Sequence, residues 1–279
     1  MSKASNVTCY VFGGKSLLIQ CSEMLLQHGH VIKAIISDDP SIRQWAADNQ
    51  IHCHACSDQL MLTDTGPVDY LFSITHLSII PDQVLELARI RAINFHDGLL
   101  PEYAGLNVTT WALYNQEKQH GITWHEMTAD IDKGNILKQH IFDIDDNETA
   151  FTLNTKCYEA ALSSFSELLA DIENDNITGI PQQSGQTGLY KRCDRVPAMA
   201  IIDWQSEASQ INAMIRALDF GPYSNPVGTA KLFHEDTAYI VTEPEIIQGL
   251  SGRAGEVLDV DNHLTVSARD HAIRINKLH

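Results

Sequence analysis

The feature that most limits how this chain can fold is a repeated switch of hydrophobic period across its first hundred residues. Val7–Phe12 is a short unbroken apolar run. Ser16–His28 changes to helical spacing, with Leu17, Leu18, Cys21, Met24 and Leu25 on one stripe, and Gly29 supplies a stop signal. Val31–Ile36 is apolar again, and Ser41–Asn49 has a helical pattern. Tyr70–Ile74 follows as a buried strand, Pro81–Ala88 as a helix with proline at its first turn, and Arg91–His96 as the next strand. Strands alternating with helices imply a mostly parallel, doubly wound α/β sheet. Function in such sheets collects at the carboxyl ends of the strands, beside the point where strand order reverses. His96 is expected at such an end.

The second half changes character. Leu106–Tyr114 reads as a helix, and Gly121–Met127 and Ile136–Ile144 as strands flanking the loop Thr128–Asn135. Thr149–Asn174 is a long amphipathic helix. Ile180–Arg195, with Pro181, Gly185, Gly188 and many polar residues, reads as a linker. Ser206–Leu218 is a short helix with Ile211, Met214, Ile215 and Leu218 on one face. From Val227 the pattern is β: KLFHEDTAYIV, GEVLDV, HLTVSA and AIRINKL, separated by Gly, Asp and Asn turns. Several short strands imply a small barrel or meander. The expected organisation is a domain over 1–185, a linker over 186–200 and a β-rich domain over 201–279.

Charge narrows the partners. Lys and Arg number 19 against 36 Asp and Glu, a net charge of −17. Polyphosphate partners need a basic footprint, and there is no Lys/Arg cluster, so nucleic acid is not expected as a partner. No apolar run approaches a membrane span, and the start MSKASNVTCYVF lacks the layout of a signal peptide, so a cytoplasmic protein without membrane contact is expected. The six cysteines are scattered, which fits reduced thiols. The sequons at Asn6, Asn107, Asn147 and Asn176 then carry no weight.

Several motif fragments fail on inspection. Gly13-Gly14-Lys15-Ser16 ends like a phosphate loop, but the required first glycine position holds Cys9. A strand-to-helix turn is the expectation there. His52-Cys53-His54-Ala55-Cys56 has metal-ligand residue types without the second pair that a structural zinc site needs, so a strand with incidental thiols is expected. His125-Glu126 begins like a zincin helix, but residue 129 is Ala. No metal site is expected.

What remains is Ile93–Tyr103, INFHDGLLPEY. Asn94 and His96 are two apart on a strand and so project to one face. Asp132 lies downstream in the loop ADIDKG. An amide and an imidazolium can stabilise a tetrahedral oxyanion, while a carboxylate favours the charged imidazole and helps take a proton from an attacking group. That set would serve acyl transfer to a nucleophile. A strand-end turn with a hydrogen-bonded histidine fits the same residues.

The run INFHDGLLPEYAGLNVTTWALYNQEKQHGITWHEMTADIDKGNIL resembles the core of the 10-formyltetrahydrofolate-dependent formyltransferases. Their pattern is Asn-x-His, Leu-Pro-x-Tyr-x-Gly, Gly-(Val/Ile)-Thr-x-His and Asp-x-Gly, and all four blocks occur here in order. IIDWQSEASQINAMIRALDFGPY and GRAGEVLDVDNHLTVSARDHAIRINKL are similar to the C-terminal domain shared by the methionyl-tRNA and amino-sugar enzymes. The resemblance implies a Rossmann-like domain followed by a small OB-like one, and an N-formyltransferase with 10-formyltetrahydrofolate as donor. It implies Asn94, His96 and Asp132 as catalytic residues, with direct attack of an amine on the formyl carbon. It also implies that backbone of Ser78, Ile79 and Ile80 and of Thr128, Ala129, Asp130 and Ile131 grips the pterin.

Asp97 is a departure from the family pattern, an extra carboxylate beside His96 that either turns outward or adds to the tuning of the imidazole. The basic loop of the tRNA enzyme is replaced by ISDDPSIRQWAAD, which argues against a tRNA acceptor. The NFHDGLLPEYAGLN variant, with Trp111 and ITWH, is most similar to formyltransferase domains of nonribosomal peptide or polyketide assembly lines, which implies natural product biosynthesis. The acceptor expected is an amine on a small molecule or carrier protein: an aminoacyl group, an amino acid or an amino sugar. A non-catalytic formyltransferase-like interaction module and a 10-formyltetrahydrofolate hydrolase are the competing readings.

Overall fold

The computed structural model describes residues 6–61, 66–183, 188–234 and 236–279. Its hub is β1 (Thr8–Gly13), in which Cys9, Tyr10, Val11 and Phe12 are all buried. A strand covered on both faces has no solvent side to alternate with, which is why its sequence is an unbroken apolar run. From β1 the chain winds outward through α1 (Lys15–Gln27), β2 (Val31–Ile36), α2 (Pro40–Asp48), β3 (His52–His54) and α3 (Ser57–Met61). It then returns to the other side of β1 with β4 (Val68–Ile74), α4 (Asp82–Leu85) and β5 (Ala88–His96). After β6 (Tyr103–Gly105) and α5 (Val108–Tyr114), strands β7 (Gln119–Glu126) and β8 (Ile136–Asp143) complete a seven-stranded sheet in the order β3-β2-β1-β4-β5-β7-β8. β1 pairs in parallel with both β2 and β4, so strand order reverses between β1 and β4. β5 runs parallel to β4 and antiparallel to β7. The sheet is the mostly parallel, doubly wound one that the alternating periods imply.

Two local features differ from or refine the sequence reading. The helix expected over Pro81–Ala88 is only Asp82–Leu85, with Pro81 as its N-cap, and Ala88 already pairs with Val68 as part of β5. Leu85, Leu87 and Ala88 pack on one core cluster, so their apolar character serves a strand entry as well as a helix stripe. At Gly13–Ser16 the chain makes a strand-to-helix turn. Gly13 has φ +137°, and a Cβ there would lie 1.7 Å from the Ile74 carbonyl oxygen, so only glycine lets β1 end this close to β4.

The long helix α6 (Ala150–Glu173) places Phe165 against Trp124, ring centroids 5.0 Å apart, and Ser164 accepts from the Trp124 indole N–H at 2.9 Å. Trp124 is fully buried, so its indole needs that partner. Next come β9 (Gly188–Tyr190), a 3-10 turn at Pro197–Ala200 and α7 (Ala208–Leu218). Gly185 and residues 186–187 of the expected linker lie outside the described residues. Ile211, Ile215 and Leu218 of α7 are buried, and Glu207 and Gln210 form a capping box at its start. The tail is an antiparallel sheet of β10 (Lys231–His234), β11 (Thr237–Ile247), β12 (Val257–Val260), β13 (Leu264–Ser267) and β14 (Ala272–Leu278), in the order β10-β11-β14-β13-β12.

The chain forms two compact units. One takes the residues up to Ala104 together with Gly121–Ile141 and Cys157–Gly188; the other takes Gly105–His120, Phe142–Lys156 and Leu189–His279. Every catalytic and pterin-binding residue expected from the sequence lies in the first. No helix among the described residues is long and apolar enough to cross a membrane.

Candidate active site

β5 carries Asn94 and His96 to its carboxyl end, where Asn94 is paired with His125 and His96 with Thr123 of β7. Beyond β7 the chain doubles back. The Asn135 carbonyl accepts from the Glu126 N–H at 2.9 Å, and the Asn135 amide donates to the Glu126 carboxylate at 2.7 Å. Arg91 of β5 pairs with the same carboxylate. Gly134 sits so close to β7 that a Cβ would lie 1.8 Å from the Glu126 carbonyl oxygen. This tight return lets Asp132, at φ +54°, reach back toward β5. Asp132 Oδ2 lies 3.8 Å from His96 Nδ1, and its Oδ1 lies 3.4 Å from His125 Nε2. The structure thus brings Asn94, His96 and Asp132 together, with His125 between Asn94 and Asp132.

His96 is 5% exposed, and its Nε2 lies 2.6 Å from the Tyr103 carbonyl oxygen. A carbonyl only accepts, so Nε2 carries a proton. Nδ1 then faces Asp132 at 3.8 Å and Asp97 Oδ1 at 4.0 Å, both beyond hydrogen-bond length. Asp97 is neither fully turned outward nor bonded to the ring. Its side chain is 33% exposed and adds a second carboxylate to the surroundings of Nδ1.

His125 has the opposite arrangement. Its Nδ1 lies 2.8 Å from its neighbour's carbonyl, Glu126 O, so Nδ1 bears the proton. Nε2 is left to accept from the Asn94 amide at 3.0 Å. Burial holds the imidazole pKa below the usual histidine range, with Asp132 pulling the other way. His125 therefore fixes which way the Asn94 amide points. Sequence reasoning passed over it in this role, because the signal is the Asn94–His125 strand register, which a single chain does not spell out.

Of the two segments expected to grip a pterin, Thr128–Ile131 runs directly into Asp132, and Ser78–Ile80 follows β4. Ser78 and Ile79 are exposed and Ile80 is buried, while Thr128, Ala129, Asp130 and Ile131 are exposed. Ile80 and Met127 share one core cluster, which anchors both segments to the same support. Ile79 and Ile131, at 82% and 55% exposure, offer bare apolar surface of the kind a flat heterocycle covers.

Among the described residues, one group elsewhere has metal-ligand residue types: His28, His30 and Glu173, with ligand atoms within 4.8 Å of one another. His30 Nδ1 accepts from the Val7 N–H at 3.4 Å, so its Nε2 bears the proton and faces Glu173. A protonated nitrogen has no lone pair for a metal, and the trio ties the end of α1 to the end of α6.

Comparison with known proteins gives the family and the fold. Residues 57–169 match the family model described as formyl transferase, and residues 196–279 match the one described as formyl transferase, C-terminal domain. The fold is similar to that of WlaRD, a sugar 3N-formyl transferase whose structure was determined in the presence of dTDP and 5-N-formyl-THF. That likeness has a TM-score of 0.76 at 20% identity and covers 97% of each chain. It is also similar to the N-formyltransferase from Helicobacter canadensis in complex with folinic acid and dTDP-3-aminofucose, with a TM-score of 0.79, 19% identity and coverage of 99% and 100%. HypX from Aquifex aeolicus, in complex with tetrahydrofolic acid, matches at a TM-score of 0.68 and 18% identity over 98% of this chain, which spans 44% of that protein. The two family matches together take in most of the sequence and both compact units, and the chain belongs to the formyl transferase family.

Proposed function

We propose that this protein transfers a formyl group from 10-formyltetrahydrofolate to the amine of a small-molecule or carrier-bound acceptor by direct attack. The observation that carries this reading is the convergence of Asn94, His96 and Asp132, with His125 behind them, at the carboxyl end of β5. The lone pair of the amine nitrogen forms a bond to the formyl carbon, and the carbonyl π pair moves onto the formyl oxygen as negative charge. One Asn94 N–H is spent on His125, which leaves the other for that oxygen. His96 Nδ1, too far from either carboxylate for a hydrogen bond, offers the second donor when protonated. Asp132 orients the imidazole and takes the proton that the amine loses. The oxyanion then reforms the carbonyl as the bond from the formyl carbon to the folate nitrogen breaks, and that nitrogen takes the proton that Asp132 received from the amine. Backbone of Ser78–Ile80 and Thr128–Ile131 holds the pterin, with Ile79 and Ile131 against its faces.

A folate donor is supported by the folate compounds bound to similar proteins. The dTDP-3-aminofucose held by one of them makes nucleotide-linked amino sugars the first acceptors to try. Aminoacyl carriers and free amino acids are next, in keeping with a role in natural product biosynthesis. The net charge of −17 disfavours a tRNA acceptor. The test is incubation with 10-formyltetrahydrofolate and this panel of amines, read by mass spectrometry. A formylated amine is expected. Formate without formylated amine would make the protein a hydrolase, and no turnover with any amine would sink the proposal in favour of a binding module.

A further inference from the structure

We infer that Gln182 is a positioning residue of this centre, whose amide holds the loop in the turn that aims Asp132 at His96. The inference rests on the formyl-transfer reading above. Gln182 lies in the stretch that follows α6. Its side-chain nitrogen donates to the carbonyl of Asp132 at 2.7 Å and to that of Gly134 at 2.8 Å. An amide NH2 has two protons to give, and both go to one loop, on either side of Lys133. Asp132 needs such support. A non-glycine residue at φ +54° sits in a sparsely populated region and stays there only where its surroundings over-determine it.

The rest of the stretch is built to bring Gln182 there. Ile180 exchanges two backbone hydrogen bonds with Ile136, each 2.8 Å. Gly179 lies so near Asn135 that a Cβ would stand 2.8 Å from the Asn135 Cβ. Arg91, which pairs with Glu126 at the base of the loop, also donates to the Ile177 carbonyl at 3.3 Å. These contacts lay the strap along the loop. The Gln182 side chain then reaches the backbone of the carboxylate residue itself.

The test compares the wild-type protein with Gln182→Met and Gln182→Glu. Both keep the size of the side chain and remove its donors, so they separate hydrogen bonding from packing. The expected result is a fall in kcat of about 10-fold or more, since a misplacement on the order of 1 Å costs that much or more. The donor should still bind at one per chain, with its KM changed less than about 3-fold, because shape and folate contacts are kept. Amide hydrogen exchange should quicken over residues 130–134 and nowhere else. A kcat within about 2-fold of wild type in either variant would overturn the inference. So would a loss of kcat matched by a loss of donor-binding stoichiometry, which would mean that the residue only keeps the protein folded. A wild-type protein that formylates no amine counts against the proposed function instead. The exchange comparison needs no turnover and then decides the pinning alone: unchanged exchange over 130–134 overturns it.

Discussion

His96 and His125 stand 6.3 Å apart, centroid to centroid, and hold their protons in opposite ways. Each is set by a backbone carbonyl, Tyr103 for one and Glu126 for the other. That difference assigns them different work: His96 presents Nδ1 to the reaction, and His125 accepts from Asn94. Replacing His125 with Phe should leave the Asn94 amide without its acceptor. A buried donor left unpaired costs about 1–3 kcal/mol, which as a loss of transition-state binding is roughly 10-fold or more in kcat. Steady-state kinetics of His125→Phe checks this, and unchanged kcat would remove His125 from the site. The same ring gives a pH dependence. Its folded-state pKa is lowered by burial, as are those of His54 and His76, so the unfolded chain takes up protons that the folded one resists. This contribution to stability is whole above about pH 6.5 and is lost as pH falls through the lower folded values. Urea unfolding at pH 7.5 and 5.5 should show lower stability at 5.5, with a smaller drop in His125→Phe; equal drops in both proteins would contradict the role given to burial. At this scale the sequence was legible where chemistry follows strand periodicity. Asn94 and His96 share a face because they are two apart, whereas the Asn94–His125 contact depends on a register between distant segments. Asp132 was a candidate as a carboxylate in a loop between two strands, and the family resemblance matched it to a catalytic role, since nothing local says that its loop doubles back.

Elements explain why the site sits where it does. The strands announced themselves as apolar runs because a doubly covered sheet leaves them no polar side, and β1, β2 and most of β4 fall where those runs fall. The helix expected over 81–88 shrank to Asp82–Leu85 because apolar residues entering a strand and apolar residues on a helix stripe look alike over so short a span. Glycines mark the closest approaches. Gly13 ends β1 at φ +137° against the Ile74 carbonyl, and Gly134 closes the catalytic loop against Glu126. Gly13→Ala meets both a forbidden backbone conformation and a 1.7 Å contact with backbone that cannot swing away. It should destabilise the protein by about 3 kcal/mol or more, measured by urea denaturation, since strain and overpacking act together there. A loss below about 1 kcal/mol would mean that β1 and β4 separate easily.

For the whole molecule, strand order reverses between β1 and β4, and the residues proposed as catalytic lie one strand further on, on β5 and the loop after β7. A lone Gly-Gly-Lys-Ser without its full motif is a close approach of β1 to β4 here. The β-rich tail was legible as a run of short strands with turn residues, and it is an antiparallel sheet. The interleaving of the two compact units was not legible, because Gly105–His120 and Phe142–Lys156 carry ordinary helix and strand patterns that do not say which core they join. What the molecule is for turns on one claim, that Asn94, His96 and Asp132 move a formyl group to an amine. The most direct measurement is the rate of formylated-amine formation from 10-formyltetrahydrofolate by the wild type and by His96→Ala, with donor binding followed in parallel. The wild type should give formylated amine, and His96→Ala should bind the donor yet lose about 100-fold or more in rate. Near-normal turnover by His96→Ala, or formate as the only product of the wild type, would contradict it.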